Sequence, residues 1–288
     1  MTTRTRVELG RREDLGADCA NCFGLCCVAL AFTRSADFPV DKPAGEPCVN
    51  LDGDDACTIH RRLRPEGFVG CTVFDCFGAG QKVSVHTFGG VSWRSDAEVR
   101  RRMFAVFPLM RRLHELLWYL DVALALPGAA PRLRRQLRAR FDAVHELTLA
   151  EAEAVLTADV DGEYAASRPL LIAASAAARA GLRPSAVPRG RRLAPGADLA
   201  AAALAGADLR GADLRGALLI AADLRRADLR GCDLLGVDLR DADVSGADLS
   251  EAIYLTQAQV TSTRGDETTV LPPHFERPSH WSRRPAAH

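Results

Sequence analysis

Residues 197–256 read ADLAA AALAG ADLRG ADLRG ALLIA ADLRR ADLRG CDLLG VDLRD ADVSG ADLSE AIYLT, which is twelve blocks of five residues with no insertion. The third residue of a block is Leu in ten blocks, Val244 in one and Tyr254 in one. The first residue is Ala in every block except those that begin with Cys232 and Val237. A period of five fits neither an amphipathic helix nor an alternating strand. It predicts a chain that turns a corner every five residues and stacks on itself, with the first and third residues inside.

At least nine of these blocks closely resemble the A-[D/N]-L-x-x pattern of the pentapeptide-repeat family. The resemblance implies a right-handed, quadrilateral, parallel β-helix with twenty residues per coil, so that residues 197–256 would form three coils. Such a solenoid buries each coil only against its neighbours and needs capped ends. The interior columns, one for each face, would be Leu199, Leu219 and Leu239; Leu204, Leu224 and Val244; Leu209, Leu229 and Leu249; and Leu214, Leu234 and Tyr254.

The outer faces of the repeat differ in polarity. The second and third faces carry Asp and Arg, whereas the first and fourth carry apolar residues that would point outward. Apolar groups on adjacent outer faces predict a covered surface. Two hypotheses remain open, since either the chain's own helices or tail, or a second copy of the chain in a homodimer, could cover them. The outward apolar residues are Leu218, Ile220, Leu235, Ile253 and Leu255.

Eight of the nine cysteines fall within residues 19–76, and the ninth, Cys232, takes an interior position where Ala is usual, which predicts simple packing. So many thiols in a reduced compartment indicate metal or iron–sulfur ligation, with disulfides or redox-active thiols as alternatives. Eight thiolates around one divalent ion would leave too much negative charge. Two four-thiolate sites, one polynuclear cluster, or one site with bystanders therefore remain open.

The spacing of these cysteines also resembles the CxxCxxCC cysteine-cluster family (the YkgJ-like family), over about residues 15–85. The resemblance implies that the segment chelates zinc or iron, since some members carry iron–sulfur centres, and that all eight cysteines are metal ligands. One departure is the segment that follows Arg64 and Pro65, which is longer than the family pattern and would change the loop before Cys71. The eight candidate ligands are Cys19, Cys22, Cys26, Cys27, Cys48, Cys57, Cys71 and Cys76.

Between the cysteines and the repeat, the apolar residues take a helical period and predict a central α-helical bundle of three or four segments. Capping boxes are predicted at Ser95 with Glu98 and at Thr148 with Glu151. The expected fold is therefore a multi-domain α+β chain. Its parts are a cysteine-cluster domain over residues 1–90, helices over 95–182, a linker over 183–196, the β-helix over 197–256, and a cap and tail over 257–288, which open with a short helix.

The composition gives little direct indication of function, because the formal net charge is zero. We find neither a signal sequence nor a run of about 20 apolar residues that could span a bilayer, so we expect a cytoplasmic protein with no membrane partner. No catalytic constellation is recognisable. We expect a non-enzymatic metal-binding protein whose β-helix is a scaffold for an unidentified protein partner.

Two alternative functions are weighed against that one. The first is an iron–sulfur redox or protein-modification enzyme module. The second comes from the pentapeptide-repeat resemblance, since some members mimic DNA and protect gyrase from inhibitors. Three coils at about 4.8 Å each are too short to imitate a useful length of duplex, so a nucleic-acid role is not expected.

Overall fold

The structure is a computed structural model that describes residues 15–184 and 193–281. The described residues form two compact units. The first unit runs to Leu124 and resumes over Pro131–Leu171, and the second comprises Ala125–Ala130 and the residues from Ile172 onward. Most of the predicted linker, at residues 185–192, lies outside the described residues, as do residues 1–14 and 282–288.

The cysteine-rich part of the first unit is built from short turns around a small core. Its apolar centre contains Cys48, Ile59, Leu63 and Phe68. Such a core buries little apolar surface, and small folds of this kind often depend on cross-links or metal ions for stability. The elements are 3₁₀ turns at Cys19–Asn21 and His60–Arg62, helices α1 (Leu25–Val28), α2 (Val69–Thr72) and α3 (Ala79–Gln81), a π-helical turn at Lys82–Thr87, and antiparallel bridges joining Phe32 to Lys42 and Leu51 to Cys57.

The predicted helical region is present as α4 (Ala97–Ala125), α5 (Pro131–Leu149), α6 (Ala152–Thr157) and α7 (Val160–Ala178).

Both predicted capping boxes of this region are wrong. Helix α4 is capped by Asp96, whose Oδ1 accepts hydrogen bonds from the N–H groups of Glu98 and Val99 at 2.6 and 3.0 Å. Thr148 is buried inside α5 and its hydroxyl donates to the carbonyl of His145 at 2.7 Å, because α5 continues beyond the expected end.

The repeat in the second unit stacks as predicted. Parallel bridges join residues that are twenty apart, for example Asp208 to Asp228 and Asp228 to Asp248. The third residue of every block is at most 2% exposed. On the third face the N–H groups of Leu209 and Leu229 each donate to the carbonyl of the next coil at 2.9 Å. The twenty-residue coil and its interior columns are therefore confirmed.

The backbone pairing of the repeat is made by isolated bridges, and the part of the chain that the structure describes contains no extended strand. Each side of a coil pairs through a single bridge because two of every five residues form the corner. The last residue of most blocks adopts a positive φ, as Gly231 (66°) and Arg226 (57°) do. Glycine is frequent there because it has no Cβ to oppose that conformation.

After the third coil the chain adds part of a fourth. The predicted closing helix is present as α8 (Gln257–Ser262), which begins with a capping box between Thr256 and Gln259. Parallel bridges then join Asp243 to Arg264 and Asp248 to Val270. These two bridges extend the coil stack past the last recognisable block.

The tail returns to the end of the stack through Trp281. This side chain is 7% exposed, and its Nε1–H donates to the carbonyl of Thr263 at 3.1 Å. A Cβ on Gly265 would lie 2.6 Å from the indole ring, so glycine permits this close packing.

The prediction of outward apolar residues is correct in part. Leu218 is 42% exposed, and Ile220 and Leu235 are half-buried. Ile253 and Leu255 are only 3% and 2% exposed, so the prediction is wrong for these two residues. Leu255 joins the interior of the repeat, because Tyr254 has a φ of 59° and the chain leaves the repeat path at that point.

The end of α7 and the turn that follows it cover part of the β-helix within the second unit. The Arg179 guanidinium donates to the carbonyl of Gly211 and to Asp213, both at 3.1 Å. Leu182 packs over Gly211 and Gly231, where an added Cβ would come within 2.4 Å of it. The residues that this cover contacts are not among the outward apolar residues named above, so both hypotheses for those residues stay predictions.

Under this cover lies a buried carboxyl group, that of Asp233, which is 0% exposed. Burial raises the pKa of Asp233, although a hydrogen bond from Ser175 and the charge of Arg215, whose Nε lies 3.5 Å away, act in the opposite direction. A carboxyl group with a raised folded-state pKa stabilises the fold most when it is protonated. This stabilisation is complete at pH values below the pKa that Asp233 has in the unfolded chain. It is lost as the pH rises through the pKa that Asp233 has in the folded protein.

Replacing Asp233 with Asn should therefore change how stability depends on pH. As the pH falls from about 7 to about 4, the unfolding free energy of the wild type should increase relative to that of Asp233→Asn. Asp238→Asn is the matched control, because the hydrogen bond from Arg240 lowers the pKa of Asp238, and here the wild type should lose stability relative to the variant as the pH falls below about 4. Urea unfolding from about pH 7 to about pH 3 measures both differences, and slopes of the same sign would contradict the account.

Candidate functional site

The structure brings all eight N-terminal cysteines into the first unit, on short turns and helices. Cys26 and Cys27 lie in α1, and Cys71 lies in α2. Cys27, Cys57 and Cys71 all pack against the small core that contains Cys48. All eight thiols are free, as is Cys232. Four of the eight cysteines therefore belong to one small core or pack against it.

Cys26 lies at the electrostatic centre of this group, which we call the cysteine cluster. Its Sγ is 3.9 Å from the Sγ of Cys27. A charge on Cys26 raises the pKa of five other thiols in the cluster, so all five lie within electrostatic range of it. These five are Cys19, Cys22, Cys57, Cys71 and Cys76.

The sulfurs do not surround a common point. Within residues 15–184 and 193–281, no three Cys, His, Asp or Glu side chains are arranged so that they could hold one metal ion.

Burial is the main reason why the pKa values of Cys19, Cys22 and Cys71 are raised. It raises the pKa of Cys19 to about 11, and that of Cys22 and of Cys71 to about 12, with the neighbouring thiols adding to the effect. Thiolates in such surroundings need a compensating positive charge. A cation that binds here would have to displace protons from the sulfurs.

Backbone N–H groups already point at several of these sulfurs. The N–H of Leu25 is directed at Cys22, and that of Ile59 at Cys57, and each opposes the rise in pKa. Cys76 receives two such N–H groups, from Gly78 and Gly80. Hydrogen bonds to sulfur are among the features by which proteins orient and tune thiolate ligands.

Gly80 lets helix α3 approach two of the sulfurs. A Cβ at this position would lie 2.7 Å from the Sγ of Cys22 and 3.9 Å from the Sγ of Cys76. The first distance is too short for any side chain larger than hydrogen, so the glycine is required for this arrangement.

A buried ammonium group adjoins the cluster and was not identified from the sequence. Lys42 is 6% exposed, and its Nζ donates to the carbonyls of Val28, Pro43 and Glu46 at 2.9 to 3.2 Å. Burial lowers the pKa of Lys42, and Cys48, Cys27, Glu46 and Cys26 oppose this because their negative charges favour the ammonium form. The one feature of the sequence that singled out Lys42 was the rarity of lysine, because only two of the 37 Lys and Arg residues are Lys.

The charged faces of the repeat form a second candidate surface, but their charges are largely paired. Arg210 lies 2.8 Å from Asp208 in its own block and 3.6 Å from Asp228 in the next coil. Arg230 repeats the pattern with Asp228 at 2.6 Å and Asp248 at 3.6 Å. These ladders neutralise most of the acidic charge on the third face.

Over the described residues, no helix is both long enough and apolar enough to cross a membrane.

The repeat geometry and the comparisons with known proteins agree on the class of protein. Residues 195–231 and 217–253 match the family model described as pentapeptide repeats, with eight copies, so this part of the chain consists of pentapeptide repeats. A curated relative described as the uncharacterized protein YybG of Bacillus subtilis (strain 168) is 52% identical over 268 residues, which covers 93% of this chain and 95% of that one. The chain belongs to the family of that Bacillus subtilis protein.

A partial likeness to a solved structure was also found. It is a pentapeptide repeat protein from the thylakoid lumen of Arabidopsis thaliana, 26% identical, and the likeness covers 33% of this chain and 67% of that one with a TM-score of 0.17.

Proposed function

We propose that this protein binds zinc or iron through its cysteine cluster, and that its β-helix is a rigid, non-enzymatic scaffold for a protein partner. The observation that supports metal binding is the combination of eight free thiols, N–H groups directed at their sulfurs, and a buried ammonium beside them. We assign the ligand role to the same eight cysteines that the sequence analysis names.

The donor set favours a soft or borderline metal. Thiolates select zinc, copper(I) or iron–sulfur clusters, whereas calcium and magnesium prefer oxygen ligands. Four thiolates on a divalent ion carry a net negative charge, which Lys42 and the N–H groups would offset. Binding would have to draw the sulfurs toward a common centre, since the described side chains are not already arranged around one. A reducing compartment such as the cytoplasm would keep the thiols available for ligation.

The exposed apolar residues of the first face are the part of the β-helix that we propose for partner binding. Leu218 is the most exposed large apolar residue of the three coils, and Ile220 lies beside it. A different protein or a second copy of this chain could occupy that face. The paired Asp–Arg ladders argue against a DNA mimic, which needs a row of unpaired negative charges.

Elemental analysis of protein purified without oxygen tests the metal proposal, with two cysteine variants as probes. We expect about one to two zinc ions, or several iron ions, per chain. Cys26→Ser should lose most of this metal because Cys26 is the centre of the cluster. Cys232→Ala should keep all of it, because Cys232 is packed inside the repeat.

The visible spectrum of the same sample separates the two metals. A colourless protein with zinc supports the scaffold function, whereas an absorption band that dithionite bleaches would support the iron–sulfur redox alternative. Wild-type protein without metal would contradict both, as would equal metal contents in the two variants.

A further inference from the structure

A second group of titratable side chains surrounds a cavity of about 50 Å³ in the first unit. The charged or chargeable residues that line it are all basic, and none of its lining residues is Asp or Glu. These basic residues are Lys82, His86, His114 and His145.

The basic residues are arranged from the surface inward. His86 is exposed, Lys82 and His145 are half-buried, and His114 is only 3% exposed. The cavity is therefore accessible on the side of His86 and has the imidazole of His114 on its inner side.

The proton position on His114 follows from its single hydrogen bond. Nδ1 lies 2.7 Å from the carbonyl oxygen of Phe77, and a carbonyl can only accept, so Nδ1 carries the proton. Nε2 is then a hydrogen-bond acceptor. It is buried, and no group among the described residues is bonded to it. A buried acceptor without a donor is costly, and His114 lines the cavity, so a donor bound there would satisfy Nε2.

His114 remains an acceptor at neutral pH. Burial lowers its pKa to about 4, and the positive charges of Lys82 and His145 contribute in the same direction. The hydrogen bond to Phe77 acts the other way but does not outweigh burial.

The backbone beside the cavity is also unusual. Phe77, whose carbonyl fixes the tautomer of His114, has a φ of 50°, and the cavity-lining Gly78 has a φ of 82°. Lys82 and His86 both lie on the π-helical turn Lys82–Thr87. Strained residues and π-helical turns are enriched at functional sites, because a fold without a use for them would relax.

We propose that this cavity binds a small oxyanion that carries one hydroxyl group, of the class of monohydrogen phosphate or hydrogen carbonate. Lys82 attracts the negative charge, the outer imidazoles can donate N–H hydrogen bonds to the anion, and the hydroxyl group donates a hydrogen bond to Nε2 of His114. The size agrees, because about 50 Å³ holds roughly three to five water molecules, which is comparable to one such anion.

The proposal predicts discrimination between phosphate and sulfate. The two anions have the same shape, but near neutral pH sulfate carries no proton and has nothing to donate to His114. Calorimetric titration of the full chain at about pH 7.5 should show phosphate binding at least about tenfold tighter than sulfate, the effect of one hydrogen bond to a charged ligand. Titration with hydrogen carbonate then shows whether phosphate or hydrogen carbonate binds more tightly.

Two variants test the roles of the residues. His114→Asn keeps an amide N–H near the position of Nδ1 for the carbonyl of Phe77 but removes the Nε2 acceptor, so phosphate affinity should fall to the level of sulfate. Lys82→Met should weaken both anions and keep the preference between them. His60→Asn replaces an exposed histidine outside the cavity and should change nothing.

Several results would overturn the proposal. The first is that the wild-type protein binds neither phosphate nor hydrogen carbonate at millimolar concentration. The second is that the wild-type protein binds sulfate as tightly as phosphate. The third is that a folded His114→Asn variant still prefers phosphate to sulfate. If His114→Asn does not fold, Lys82→Met decides the matter, because unchanged phosphate affinity in that variant contradicts the proposal.

Discussion

Leu229→Ala is expected to destabilise the β-helix by about 3 kcal/mol, within the range of about 2 to 5 kcal/mol for buried Leu-to-Ala changes. Leu229 is 0% exposed and lies in the middle coil, between Leu209 and Leu249 of the same column. Because coils lie on both sides of it, the structure cannot collapse easily into the space that the substitution leaves. Urea unfolding followed by circular dichroism measures the loss.

Leu218→Ala is the matched control for Leu229→Ala. It makes the same chemical change in the same coil, but the side chain is 42% exposed. Its cost should stay below about 1 kcal/mol, because the side chain is already partly in water and its removal leaves no enclosed cavity. Equal costs at the two positions would mean that the interior column does not stabilise the repeat.

Removal of metal by a chelator is expected to loosen the cysteine-rich segment strongly, with little effect on the repeat. The core around Cys48, Ile59 and Phe68 is small, so binding energy from a metal would be a large part of the stability of this segment. Amide hydrogen exchange should accelerate by at least about a hundredfold over residues 19–76, because loss of a structural metal removes several kcal/mol. Protein treated with the chelator already saturated with zinc is the control and should exchange like untreated protein.

The repeat was predictable because its order depends on a pattern that is local in sequence. Each Leu of a column repeats after twenty residues, and the same spacing sets the bridges between coils. The pattern breaks at Tyr254, where the chain leaves the repeat path, and the exposure predicted for Leu255 was wrong for that reason. Ile253 is still in register with the repeat and lies in the same column as the buried Asp233. The cover over Asp233 was not predictable in detail, because Ser175 and Arg179 come from a helix with no repeat of its own.

The sequence was enough to predict that the cysteines form a cluster, but not to predict how the groups around their sulfurs are arranged. The Cys spacing indicates which residues assemble, since eight thiols have few other uses in so short a segment. It does not give the N–H groups directed at Cys76 or the ammonium of Lys42 beside Cys48, because these depend on how turns distant in sequence fold together. The same limit applies to His114, whose sequence neighbours are ordinary residues of an amphipathic helix.

We propose that two independent sources of order hold this chain, a metal bound by the cysteine cluster and the stacked leucine columns of the repeat. Hydrogen exchange measured by mass spectrometry on chelated wild type and on metal-loaded Leu229→Ala tests it most directly. We expect chelation to accelerate exchange in residues 19–76 alone and Leu229→Ala to accelerate it in residues 197–256 alone. If chelation leaves residues 19–76 unchanged, or if either treatment loosens both segments equally, the claim is wrong.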